Sequence, residues 1–291
     1  MLSEKDIYIF LLNNKNYESW DSGLNGRSAV SLFLFCYYKL NNDVNAYNRA
    51  IELLEYEINN LNKIKNAGLF NGLCGIAWTV NYLSNENIIE INNDDFLPDL
   101  LESRLKDLFF TYEKLMSEEH FEINIDILFY FIERFLTTNS EQLKNEYEIF
   151  ISQSLILFTH FFYQLDKTLS QIQLKNLVLL VKTLNLLIDN FKSPLLNSLL
   201  LQSIECGIKR ENIKLDNINF SHFLKASLYI NNEKIYKKVI KLISKNKFET
   251  SNSNISKNNI GIWENGYSYL GLELIAKEKT VKYEFLEYFL K

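Results

Sequence analysis

Apolar residues recur at three- and four-residue intervals along most of this 291-residue chain, the period of a helix rather than of a strand. In Val44–Ile64 an apolar stripe alternates with Glu, Asn and Lys. Leu97–Met116, Glu141–Leu165, Pro194–Ile208 and Glu233–Ser244 read the same way, as helices with one buried face. Pro194 directly follows Ser193, the order expected of a first-turn proline behind an N-cap. Asn231-Asn232-Glu233 likewise resembles a helix start. No Asn-Gly hairpin signal separates two alternating runs, so the pattern predicts an all-α chain.

Between the one-sided helices lie more apolar segments, several opened by glycine: Ser22–Tyr38, Gly68–Leu83 and Gly261–Ala276. Glycine at such a start lets the loop turn sharply and lets the helix end approach its neighbours closely. Taking Gly23, Gly72 and Gly266 as equivalent gives a first interval of 49 residues, and the remaining 194 divide into four of about 48. Apolar helices without glycine fall near the intermediate places, at Ile123–Phe135, Leu174–Ile188 and Phe220–Ile230. About six helical hairpins, alternating all-round apolar with one-sided helices, predict two concentric layers: an α/α toroid forming one domain over residues 1–291. An open solenoid of HEAT or TPR type is the alternative arrangement.

Composition narrows the function classes. Apolar residues are 47% of the chain and charged residues 23%, with 2 prolines, so the chain can bury a substantial core. The net charge is −5, with Lys and Arg scattered among Asp and Glu, which argues against a nucleic-acid partner. Three widely spaced cysteines (Cys36, Cys74 and Cys206) suggest a reducing compartment rather than a disulfide framework. The N-terminal segment lacks the pattern of a signal peptide. The longest apolar run, Ala29 to Tyr38, is too short to span a bilayer, so the expected location is the cytoplasm.

The segment GLFNGLCGIAW, Gly68–Trp78, resembles the repeat signature of the lanthionine synthetase C-like (LanC-like) peptide cyclases, in which Gly-Leu-x-x-Gly-x-x-Gly-Ile-Ala opens an inner barrel helix. Ser22–Phe33 and Gly261–Leu274 look like the first and last copies of the same motif. The resemblance implies an α/α barrel, of seven hairpins in that family. It also implies an activity: adding cysteine thiols of a precursor peptide to dehydrated Ser or Thr residues, a C–S bond formation that yields thioether rings. In the family a zinc ion held by two Cys and one His makes the thiolate.

Carried over residue by residue, the family's Cys-His-Gly motif falls on Ser221-His222-Phe223, so His222 matches and Ser221 replaces a zinc cysteine. The second zinc cysteine has no counterpart; Cys206-Gly207 echoes it, only 16 residues before His222 and in the preceding outer helix. The family's cavity histidine falls near Ile172-Gln173, and its acidic position falls on Phe121-Glu122. Glu122 and His222 are thus the candidate catalytic residues, and Cys74, Ser221, Trp263 and Glu264 the candidate cavity-lining ones. A lone imidazole does not hold zinc, so no cofactor is expected unless the lost ligands are replaced.

This pattern implies a zinc-free LanC-like protein of lanthipeptide-type maturation, with a precursor peptide or a dehydratase-like enzyme as partner. Three alternatives stand beside it. The first is an active cyclase rebuilt from Cys206, His222 or Cys74. The second is a carbohydrate-active toroid using Glu122 and Glu264 about 5–9.5 Å apart. The third is a helical adaptor with a broad groove.

Overall fold

The computed structural model describes residues 3–14, 16–112, 118–165, 174–208, 217–245, 261 and 267–279. The regular structure of these residues is helical, with no strand among them. The chain divides into two compact units, residues 1–109 with 252–291 and residues 110–251.

The first unit opens with α1 (Glu4–Asn13), started by a reciprocal cap in which Ser3 and Asp6 satisfy each other's backbone N–H. α2 (Arg27–Asn41) is buried from Arg27 to Tyr37, as the glycine-opened apolar pattern requires. α3 (Val44–Asn59) is one-sided, burying Ala46, Ala50, Leu53, Leu54 and Glu57. It ends earlier than its periodicity predicts, giving way at Leu61–Lys63 to a tighter 3-10 turn. Ser31 ties α2 to α3 by donating to the Ala50 carbonyl at 2.8 Å. α4 (Leu73–Asn85) is again buried nearly all round.

After α4 come the short α5 (Asn93–Leu97), a wide turn over Pro98–Glu102, and α6 (Ser103–Tyr112), which runs into the second unit's residues. The single helix expected from Leu97 therefore begins four residues earlier and is interrupted. Pro98 lacks the N–H that a regular turn would use, and the backbone there adopts the wider π spacing.

In the second unit α7 (Glu118–Thr137) buries Ile125 through Ile132 without a break, so it is covered on all sides there. α8 (Glu141–Leu165) has the predicted bounds and keeps an exposed face. α9 (Leu174–Asn185) is buried from Leu177 to Asn185. α10 (Pro194–Ile208) starts as read, with the Leu195 N–H donating to Ser193 Oγ at 3.2 Å. α11 (Asn217–Ile230) leads through Asn231, whose φ of 53° makes the turn, into α12 (Glu233–Lys245). Asn232 caps α12 by accepting the Lys234 and Ile235 N–H groups at 3.1 and 3.3 Å. The last helix among the described residues, α13 (Tyr267–Lys279), belongs to the first unit and packs on α1 and α2.

Candidate functional site

The glycine-headed helix starts come together in the first unit. Gly26 and Gly72 are the residues just before α2 and α4. Each is boxed in by a carbonyl from the preceding loop: a Cβ on Gly26 would collide with Asp21 O, and one on Gly72 with Asn66 O. The same carbonyls accept the first helical N–H groups, Arg27 to Asp21 at 3.0 Å and Leu73 to Asn66 at 3.0 Å. A side chain would push apart the loop that caps the helix. The structural equivalents are therefore Gly26 and Gly72, rather than the Gly23 and Gly72 taken from spacing. Gly23 does a different job, turning the chain at a φ of 68°.

Backbone hydrogen bonds stitch the two loops into one layer, Leu24 N–H to Leu69 O at 3.2 Å and Asn25 N–H to Phe70 O at 2.7 Å. Gly75 lies beneath, so close that its Cβ would stand 2.8 Å from Gly23 Cα. The third loop joins at Gly261, packed on the backbone of Asn25, and its carbonyl accepts the Tyr269 N–H of α13 at 3.3 Å. Cys74, the second residue of α4, is fully buried. Trp263 and Glu264, with Gly266, lie outside the described residues.

A buried ion pair locks the first loop. Glu57 on α3 accepts the Gly23 N–H at 3.0 Å and the Ser28 hydroxyl, and its Oε1 is 3.7 Å from Arg27 Nε. Burial pushes the Glu57 carboxyl up to about 7, against the opposing pull of Ser28, Arg27 and the Gly23 N–H. Arg27 in turn donates to the Tyr17, Glu18 and Trp20 carbonyls and to Ser22 Oγ, and lies over the Tyr56 ring at 5.0 Å. Its fork thus gathers the segment before α2 around one charge. This node was not among the candidate residues. Its signal was present: Glu57 continues the stripe Ala46, Ala50, Leu53, Leu54, a carboxylate standing where the period demands an apolar side chain.

The two candidate catalytic residues lie in the second unit. Glu122, near the start of α7, is partly exposed and pairs with Lys175 at the start of α9, 3.1 Å away. His222, on α11, is half-buried and meets the other end of α9. Asn185 Nδ2 donates to the His222 carbonyl at 2.9 Å and lies 3.4 Å from its Nδ1. Lys175 and Asn185 are ten residues apart on α9, about 15 Å along the axis, so α9 engages Glu122 and His222 at opposite ends. Ser221 is exposed, and Cys206 is buried on α10, whose Gly207 sits against the Phe223 ring. Asn124, Asn176 and Asn185 are also buried, and each keeps one amide atom without a hydrogen-bond partner.

A zinc site needs at least three protein donors converging at about 2.0–2.3 Å. Among the described residues no three His, Cys, Asp or Glu side chains form such a group. The side chains at His222 supply no second soft donor: Ser221 beside it carries a hydroxyl rather than a thiol, and the imidazole faces the Asn185 amide. No disulfide joins Cys36, Cys74 and Cys206, all of which are buried. No helix among the described residues is long and apolar enough to cross a membrane.

No family model matches the chain, and neither does any curated protein or solved structure.

Proposed function

We propose that the chain is a LanC-like protein of lanthipeptide-type peptide maturation, acting in the cytoplasm and binding a precursor peptide or a dehydratase-like partner without zinc chemistry. Its helices close into an α/α toroid, with the glycine-headed ones innermost around a shared basin. The observation that carries this reading is the layer of glycine-capped helix starts, Gly26 and Gly72 with Gly261 against them. Only residues lacking a Cβ allow the starts of α2 and α4 and the backbone at Gly261 to crowd in this way, which favours a common centre over the open row of a solenoid.

Binding rather than cyclisation follows from the side chains. Thiol addition requires a thiolate, and a zinc ion held by two cysteines and a histidine is what would lower the pKa of the incoming thiol. Ser221 stands beside His222 in that role's place, and Glu122 is neutralised by Lys175. The test has two arms. Elemental analysis of the purified chain is expected to give far less than one zinc per molecule. A Cys/Ser/Thr-rich precursor peptide, or a dehydratase encoded beside the chain, is expected to be retained by the immobilised protein. Stoichiometric zinc overturns the metal-free part, and failure to retain either partner overturns the assignment to peptide maturation.

A further inference from the structure

We propose that the outer face of α12 is a docking surface for an acidic peptide segment. This deepens the reading above, and rests on it in taking the occupant to be a peptide.

The chain as a whole is acidic, at −5, yet α12 carries five lysines and one glutamate in thirteen residues. An even scatter of charge along the sequence gives way here to a stripe. Lys234, Lys237, Lys238 and Lys241 are all exposed, and their spacing of three, four and seven residues puts them on one side of the helix. The opposite side is committed to the unit's own core, with Ile235 2% and Val239 1% exposed against α10 and α11. Ile240, 40% exposed, and half-buried Tyr236 form an apolar shoulder beside the lysines. Lys237 pairs with Glu233, 2.6 Å from its Nζ with both side chains largely exposed. So exposed a pair is loosely held and readily exchanged for another carboxylate.

The geometry selects among polyanions. A bilayer would draw on an apolar helix face, and here that face is buried. A nucleic acid would need a longer basic track: the four exposed lysines, Lys234 to Lys241, span eight residues, about 10 Å, or roughly three phosphates of one strand. Beyond it, the acidic remainder of the chain repels a long polyanion. A peptide helix with carboxylates three, four and seven residues apart repeats the rise of α12, and one Leu or Ile on its flank meets the Ile240 shoulder. That is the partner whose charge and length both match.

The test uses the full chain and a fluorescein-labelled peptide of repeating Glu-Glu-Leu-Leu, followed by fluorescence anisotropy. Replacing Lys234→Glu, Lys238→Glu and Lys241→Glu together is expected to weaken binding at least about fivefold, and moderate salt about as much. The control Lys5→Glu, Lys63→Glu, Lys65→Glu, which changes net charge equally on exposed positions of the first unit, is expected to stay within about twofold. If the reversed α12 loses helical circular dichroism, the Lys→Gln triple at the same positions replaces it under the same criterion. Absence of saturable binding overturns the proposal, as does equal weakening by both triples. Tighter binding of single-stranded DNA or anionic vesicles through the same lysines also overturns it. A chain that binds the acidic probe through α12 but ignores precursor peptides removes the maturation reading and leaves this face standing. Precursor capture that survives the α12 substitutions does the reverse.

Discussion

At the scale of single residues, the position with the sharpest consequence is Glu57. A carboxylate with no solvent exposure is tolerable because Gly23, Ser28 and Arg27 surround it. Burial still wins, holding its carboxyl at about 7 against an ordinary value of 4.5. The folded chain therefore binds this proton more tightly than the unfolded one. Its contribution to stability is fully present below about pH 4.5 and is lost as pH rises through about 7. Between those limits the wild type should lose stability relative to Glu57→Gln by up to about 1.4 kcal/mol per pH unit. Urea melts of both proteins at about pH 5 and about pH 8 measure the difference; parallel behaviour of the two would show that Glu57 stays ionised throughout. The position was legible as an anomaly in the α3 stripe, but its partners were not, because Arg27 and Gly23 reach it from another element.

At the scale of elements, the glycine-capped starts of α2 and α4 dominate. Each helix begins by donating its first N–H to a carbonyl six or seven residues back, and the loop can close that tightly only over a residue without Cβ. Gly72→Ala should cost about 2 kcal/mol or more, since the methyl group meets backbone rather than a flexible side chain. Gly207→Ala makes a useful contrast, because its added carbon meets the Phe223 ring, a side chain that can shift. Thermal melting should rank Gly72→Ala well below Gly207→Ala; a reversed order would mean that the α4 loop yields easily. Periodicity located these elements well: α8 and α10 have the bounds read from the sequence, and α12 differs by one residue. It misplaced the C-terminal end of α3 and the start of the α5–α6 stretch, where a 3-10 turn and Pro98 change the backbone repeat without altering the apolar pattern.

At the scale of the molecule, two compact helical units divide the chain, the first assembled from both ends of the sequence. Gly261 and α13 therefore return to the unit that residues 1–109 begin, and α13 packs there through Gly271 against the Phe33 ring. On the zinc-free reading no metal contributes to folding, so a chelator has nothing to remove. A melting temperature unchanged within about 1 °C by excess EDTA is the expected result, and a drop of several degrees would reveal a folding-linked ion.

What the amino-acid order determined by itself is local: helix type, the alternation of all-round apolar with one-sided helices, the caps at Ser193 and Asn232, and glycine at the crowded starts. Those follow from a period of 3.6 and from backbone groups that must be satisfied within a few residues. Tertiary structure alone decided which glycines correspond, that Glu57 and Arg27 form one buried node, and that Glu122 and His222 engage opposite ends of α9. Each of these depends on residues distant in sequence being brought to a few ångströms. Such placement is set by the packing of whole helices, and no local spacing encodes it.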